Sequence, residues 1–67
     1  MISILVNGQA HRYKQAPLLA DLLREMALAD KRIAVERNGA IVPRSRFGEA
    51  RLADGDRLEI VVAVGGG

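Results

Sequence analysis

The chain has 67 residues, 49% hydrophobic and 27% charged, with ten Lys and Arg against eight Asp and Glu and a formal net charge of +2. That is the size of one domain, too apolar for disorder, and it holds no run near the roughly 20 apolar residues that cross a membrane. It has no cysteine and one histidine, His11. This excludes disulfides, thiolate metal sites, a catalytic thiol and sulfur carried on a side chain, and it argues against a zinc or Ser-His-Asp site.

The ten basic residues are scattered, with only Lys31 and Arg32 adjacent, and Tyr13 and Phe47 are the sole aromatics. A nucleic-acid binder concentrates its charge and adds stacking rings, so no nucleic-acid partner is expected. Met1-Ile2-Ser3-Ile4 lacks the basic start and apolar stretch of a signal peptide, so a cytoplasmic location is expected. No membrane partner is expected either.

Residues 2–7 are β-branched and apolar, and the period-two rule puts Ile2, Ile4 and Val6 on one face of a strand. Asn7-Gly8 is a hairpin signal, because both residues tolerate positive φ. Residues 10–14 return as a more polar strand suited to a sheet edge. Ala16-Pro17 opens a helix over about 17–28, with Pro17 at the first helical position. Its stripe of Leu19, Leu22, Leu23 and Met26 is read as core cover, and Asp21 and Glu25 as solubility charges on the outer face.

Residues 33–37 alternate as a strand, Asn38-Gly39 is a second hairpin signal, and 40–42 is a short strand stopped by Pro43. The stretch from Pro43 to Asp56 is too long for bare loop; Ser45 is expected to cap a short helical turn with Phe47 as its apolar anchor. Asp54-Gly55-Asp56 reads as a tight turn and not as a calcium loop, which needs more acidic positions. His11, on an edge strand, is expected to be solvated. The last strand runs from 57 to 64, with Leu58, Ile60, Val62 and Val64 on one face.

The order is β-β-α-β-β-β. The fold class is α+β: a four- to five-stranded mixed sheet with one helix across one face, with strands 1 and 5 in the middle because they are most apolar. This is the ubiquitin-like β-grasp arrangement. The domain is expected to cover 1–64 and a flexible glycine tail 65–67.

Two features carry functional expectations. First, a strand runs straight into Gly65-Gly66-Gly67, a thin tail with few conformational limits. Extended, three glycines reach roughly 10 Å, enough to enter a partner's pocket. A frayed end is the plainer reading. Second, the sheet face away from the helix would present Leu5, Val61 and Ala63 beside Ser3 and Glu59, an apolar patch for a partner or an ordinary surface. No metal site and no catalytic residue is expected.

The segments Asn38-Gly39-Ala40-Ile41-Val42-Pro43-Arg44, Phe47, Leu52-Ala53-Asp54-Gly55-Asp56-Arg57-Leu58-Glu59-Ile60-Val61 and Gly66-Gly67 resemble the ThiS family of sulfur carriers in thiamine biosynthesis. The Asn-Gly near the start and the Leu-rich helix fit as well. Asp-Gly-Asp and the terminal diglycine are shared with the molybdopterin-synthase small subunit and other ubiquitin-like carriers. Two departures stand out: phenylalanine at position 47, where the family often has tryptophan, and the third glycine, Gly65.

The resemblance implies a protein co-substrate, not an enzyme. An E1-like adenylyltransferase of the ThiF type would use ATP to adenylate the carboxylate of Gly67, with Gly66 beside it in the channel. A sulfur donor, ultimately fed by a cysteine desulfurase, would convert the acyl-adenylate to a thiocarboxylate. Thiazole synthase of the ThiG type would then take the sulfur. No permanently bound cofactor is implied; ATP acts through the transient acyl-adenylate. The alternatives are a carrier for molybdopterin synthesis, a protein modifier joined through Gly67 to lysine, and a plain binding module with an idle tail.

Overall fold

The strand order β2-β1-β5-β3-β4 places the last strand at the centre of a five-stranded mixed sheet. The structure, a computed structural model, describes residues 1–63. Its elements are β1 (Ile2–Val6), β2 (Gln9–Tyr13), α1 (Leu19–Glu25), β3 (Ile33–Arg37), β4 (Ala40–Val42), a 3-10 turn (Arg44–Arg46) and β5 (Arg57–Val62). β1 pairs parallel with β5, and every other strand pairing is antiparallel. The expected β-β-α-β-β-β order, the polar edge strand and the interior places of β1 and β5 are all found.

Both Asn-Gly pairs form the expected turns. Asn7 and Gly8 have φ of 50° and 86°, and Asn38 and Gly39 have 51° and 87°. Positive φ at both central residues matches the right-handed twist of the flanking strands and closes each hairpin in two residues.

The core lies between α1 and one sheet face. Ile4 and Val6 from β1, Val35 from β3, and Leu58 and Ile60 from β5 meet Leu19, Leu22 and Leu23 of α1, with Leu52 joining from the segment before β5. Met26, Phe47 and Ile2 pack against this cluster half-buried. The alternation in β1 and β5 and the helical stripe therefore serve one core, as expected.

Several boundaries differ from the sequence expectation. The helix begins at Leu19, not Pro17. Leu18 stays extended and bridges to Arg51, while the Leu52 N–H donates to the Pro17 carbonyl at 2.9 Å. The helix N-terminus is then satisfied by backbone: Leu19 N–H donates to the Ala50 carbonyl (2.8 Å) and Ala20 N–H to the Phe47 carbonyl (3.0 Å). This gives the 43–52 segment its role, which is to close the start of α1.

The helix also ends earlier than residue 28. Ala27 takes a left-handed φ of 59°. Its N–H donates to the Arg24 carbonyl (3.0 Å), and the Leu28 N–H donates to the Leu23 carbonyl (2.8 Å). That is a Schellman ending, which folds Leu28 back onto the core.

Ser45 lies within the 3-10 turn and caps nothing: the cap position is Pro43, with no side-chain hydrogen bond. β5 ends at Val62, which is more exposed than Leu58 and Ile60. Val64, and with it the expected boundary between domain and tail, lies outside the described residues.

Asp21 and Glu25 are more than solubility charges. Arg24 donates to Asp21 Oδ1 (3.1 Å), and the Tyr13 hydroxyl donates to Glu25 Oε1 (3.2 Å), tying α1 to the edge strand β2. Burial, the Glu25 charge and the hydrogen bond to it together push the Tyr13 hydroxyl up to about 12.

Candidate functional site

The sheet face opposite α1 is where the sequence places a partner patch. Outward positions alternate with core positions along each strand, and the register sets their neighbours: Leu5 stands beside Arg57, Ala34 beside Val61, Glu36 beside Glu59, and Ile41 beside Glu36. Leu5 is 37% exposed, and Val61 and Ile41 are each 65% exposed. Leu5 and Val61 line one concavity of about 470 Å³, together with Asn7, Gly8, Arg57, Leu58 and Glu59.

Ala63 is exposed and directly follows β5, but it does not line that concavity. Its N–H donates to the Arg32 carbonyl at 2.9 Å, so the chain is still held to the β3 side there. Gly65, Gly66 and Gly67 lie outside the described residues.

The face is not purely apolar. Glu36 and Glu59 are direct cross-strand neighbours, and neither forms an ion pair among the described residues. Opposed like charges cost stability in a sheet, and a basic group on a bound partner would offset that cost. Ile41 and this glutamate pair were absent from the sequence expectation. The pairing of Glu36 with Ile41 follows from the Asn38-Gly39 hairpin and was within reach of the sequence, whereas its pairing with Glu59 is a tertiary fact.

A polar clasp holds the start of β5. Asp56 Oδ2 accepts from Arg37 Nε (2.8 Å) and from the Ala53 N–H (2.8 Å), and Arg37 Nη2 lies 2.7 Å from the same oxygen. Asp56 Oδ1 accepts from Asn38 Nδ2 at 3.0 Å, and Asn38 Oδ1 accepts from the Arg57 N–H at 2.9 Å. Burial by itself would raise the Asp56 carboxyl. The Ala53 N–H, the Asn38 amide and the Arg37 guanidinium outweigh it and hold the group below its ordinary 3.8. The Asp-Gly-Asp turn thus also supplies a buried anchor, Asp56.

His11 is half-buried on β2, and no group of three or more metal-ligating side chains occurs among the described residues. No helix among them is long and apolar enough to cross a membrane.

The sequence pattern of the ThiS family matches residues 4–67. The sulfur carrier protein ThiS of Bacillus subtilis is 40% identical over 63 residues, covering 92% of this chain and 96% of the relative. The thiazole synthase of Paramagnetospirillum magneticum is 36% identical over 66 residues, 98% of this chain but 20% of that protein, so the chain spans about a fifth of that relative's length. The crystal structure of a thiamine biosynthesis protein (ThiS) from Geobacter metallireducens superposes with a TM-score of 0.79 at 29% identity, covering 98% of this chain and 100% of that one. A family pattern that runs through Gly67, and a carrier matched over nearly its full length, leave one assignment: this chain belongs to the ThiS family.

Proposed function

We propose that this chain is the sulfur carrier for thiazole formation in thiamine biosynthesis, acting as a protein co-substrate in the cytoplasm rather than as a catalyst. The observation that carries the reading is the family match, which extends through Gly67; within the described residues, β5 ends at Val62 and exposes Val61 on the outer sheet face. A carboxylate is a poor acyl donor. Attack of a Gly67 carboxylate oxygen on the α-phosphorus of ATP would release pyrophosphate and form an acyl-adenylate. A sulfur nucleophile at the sulfide level would then displace AMP from the acyl carbon and leave a thiocarboxylate.

Without cysteine, the chain has no thiol to carry the sulfur elsewhere. Gly66 and Gly65 would keep the approach to the acyl carbon free of side chains. Leu5, Val61 and Ala63 would dock the E1-like activating enzyme, the user of ATP, and later the thiazole synthase. What supports thiazole over molybdopterin as the destination is the identity of the relatives, two of them thiazole synthases.

Intact-mass spectrometry tests this reading. After incubation with the activating enzyme, ATP and a sulfur source, the protein should gain the mass of one sulfur less one oxygen. Removing Gly67 should abolish both that gain and ATP–pyrophosphate exchange while leaving the melting temperature nearly unchanged. An unmodified mass, or normal exchange by the truncated chain, overturns it.

A further inference from the structure

The backbone pairing of β1 with β5 is brief: Leu5 opposite Arg57 and Val6 opposite Leu58. The Leu5 N–H donates to the Asp56 carbonyl and the Asn7 N–H to the Leu58 carbonyl, both at 2.9 Å. At Asn7 the chain turns away, with φ of 50°, and β1 has no further backbone to offer. The next peptide groups of β5 that face the β1 side belong to Ile60, whose residue is buried.

The Asn7 side chain fills that gap. Its Oδ1 accepts from the Ile60 N–H at 2.8 Å, and its Nδ2 donates to the Ile60 carbonyl at 3.1 Å. A carboxamide holds the same donor and acceptor as a peptide unit, so Asn7 serves as one more residue of a parallel strand. Past Ile60, the described ties of β5 run to the β3 side: Val62 opposite Ile33, and the Ala63 N–H to the Arg32 carbonyl. Among the described residues, Asn7 is the last tie on the β1 side.

We infer that Asn7 is a positioning residue for the terminal chemistry: by binding Ile60 from the β1 side, opposite the ties to β3, it steadies the part of β5 that precedes the tail. The inference rests on the carrier reading above. Gly67 is seven residues beyond Ile60 (67 − 60). A steadied strand end raises the effective concentration of the acyl carbon at a docked partner's site. Loss of the tie should therefore lower turnover more than docking.

Substitutions separate the turn from the tie. Asn7→Gly keeps the positive φ but leaves the Ile60 groups without partners. Asn7→Asp can accept from the Ile60 N–H, yet when ionised it faces the Ile60 carbonyl with negative charge. Once protonated it can donate again. Leu28→Ala serves as a destabilised control at the end of α1. Each protein is assayed well below its own melting temperature.

In ATP–pyrophosphate exchange with the cognate activating enzyme, Asn7→Gly should lose about fivefold or more in kcat with KM within about twofold, while Leu28→Ala keeps both. Amide exchange at Ile60 should quicken by roughly tenfold or more in the isolated Asn7→Gly protein. Asn7→Asp should behave alike at neutral pH, and its kcat, taken as a ratio to wild type at each pH, should recover as pH falls.

Wild-type kcat in Asn7→Gly, despite fast Ile60 exchange, overturns the inference and reduces Asn7 to a turn residue. A change in KM alone overturns it in favour of docking. Unchanged Ile60 exchange shows that the tie holds nothing. A wild-type chain inert in the assay, with Ile60 still protected, sinks the carrier reading itself.

Discussion

Arg37 and Asp56 meet through a 2.7 Å ion pair that joins the end of β3 to the residue just before β5. Asp56 is only 7% exposed and also takes the Ala53 N–H and the Asn38 amide, so one carboxylate pins the Asp-Gly-Asp turn and the second hairpin together. Replacing it by asparagine removes the charge and leaves Arg37 without an ion-pair partner, its Nη2 keeping only the Arg51 carbonyl and a neutral amide as acceptors. Asp56→Asn should cost about 2 kcal/mol, a fall in Tm of roughly 10 °C for a domain this small. The folded carboxyl lies below its ordinary 3.8, so its contribution is present above that value and is lost as pH falls through the lower folded value. Denaturant melts across pH should show the wild type's advantage over Asp56→Asn shrinking below about pH 4. An advantage that stays constant to lower pH would disprove the assignment.

Tyr13 gives an isolated optical probe, since the chain has one tyrosine and no tryptophan. Its hydroxyl, raised to about 12, should titrate well above the ordinary 10.0 in the near-ultraviolet tyrosinate absorbance. Because the folded value is raised, first by burial and then by Glu25, the folded state is favoured below the ordinary value and loses that advantage as pH climbs from 10.0 to about 12. Glu25→Gln should bring the midpoint down. The same midpoint in both proteins would show that Glu25 contributes nothing.

Ala27 occupies a left-handed position that helix endings usually give to glycine. Ala27→Gly relieves the crowding of its Cβ but adds freedom to the unfolded chain. The net gain should be about 0.5–1 kcal/mol, or a few degrees in Tm. A lower Tm would mean that the Ala27 side chain contributes more than its backbone costs.

Val61 projects from the centre of the outer sheet face, so a charge there meets solvent in the free protein and apolar surface in a complex. Val61→Asp should change the melting temperature by no more than a few degrees and weaken binding to the activating enzyme by about tenfold or more. Calorimetric titration of both proteins decides this. Equal affinities would remove the sheet face as the docking surface.

How much of the fold was readable from the chain varies with how local the signal is. The two Asn-Gly turns, the alternation of Ile2, Ile4 and Val6, and the stripe of Leu19, Leu22 and Leu23 are written in spacing of two or three to four residues, and the structure keeps them all. The ends of α1 were not readable. Its start is closed by carbonyls of Phe47 and Ala50, far along the chain, and its stop is an alanine in a conformation that sequence preference assigns to glycine. Ser45 misled for the same reason, as a capping residue with no helix end to cap.

The functional surface divides along the same line. Composition and order alone settled that the chain has no thiol, and that a run of alternating apolar residues precedes three glycines. Those are properties of residues and their neighbours in the chain. Only the tertiary structure decided that Asn7 reaches Ile60, that Asp56 is a buried anchor, and that Glu36 faces Glu59 beside Ile41 and Val61. Asn7 and Ile60 are 53 positions apart, Arg37 and Asp56 are 19 apart, and Glu36 and Glu59 are 23 apart (59 − 36), and side chains at such separations meet only once packing has set the strand register.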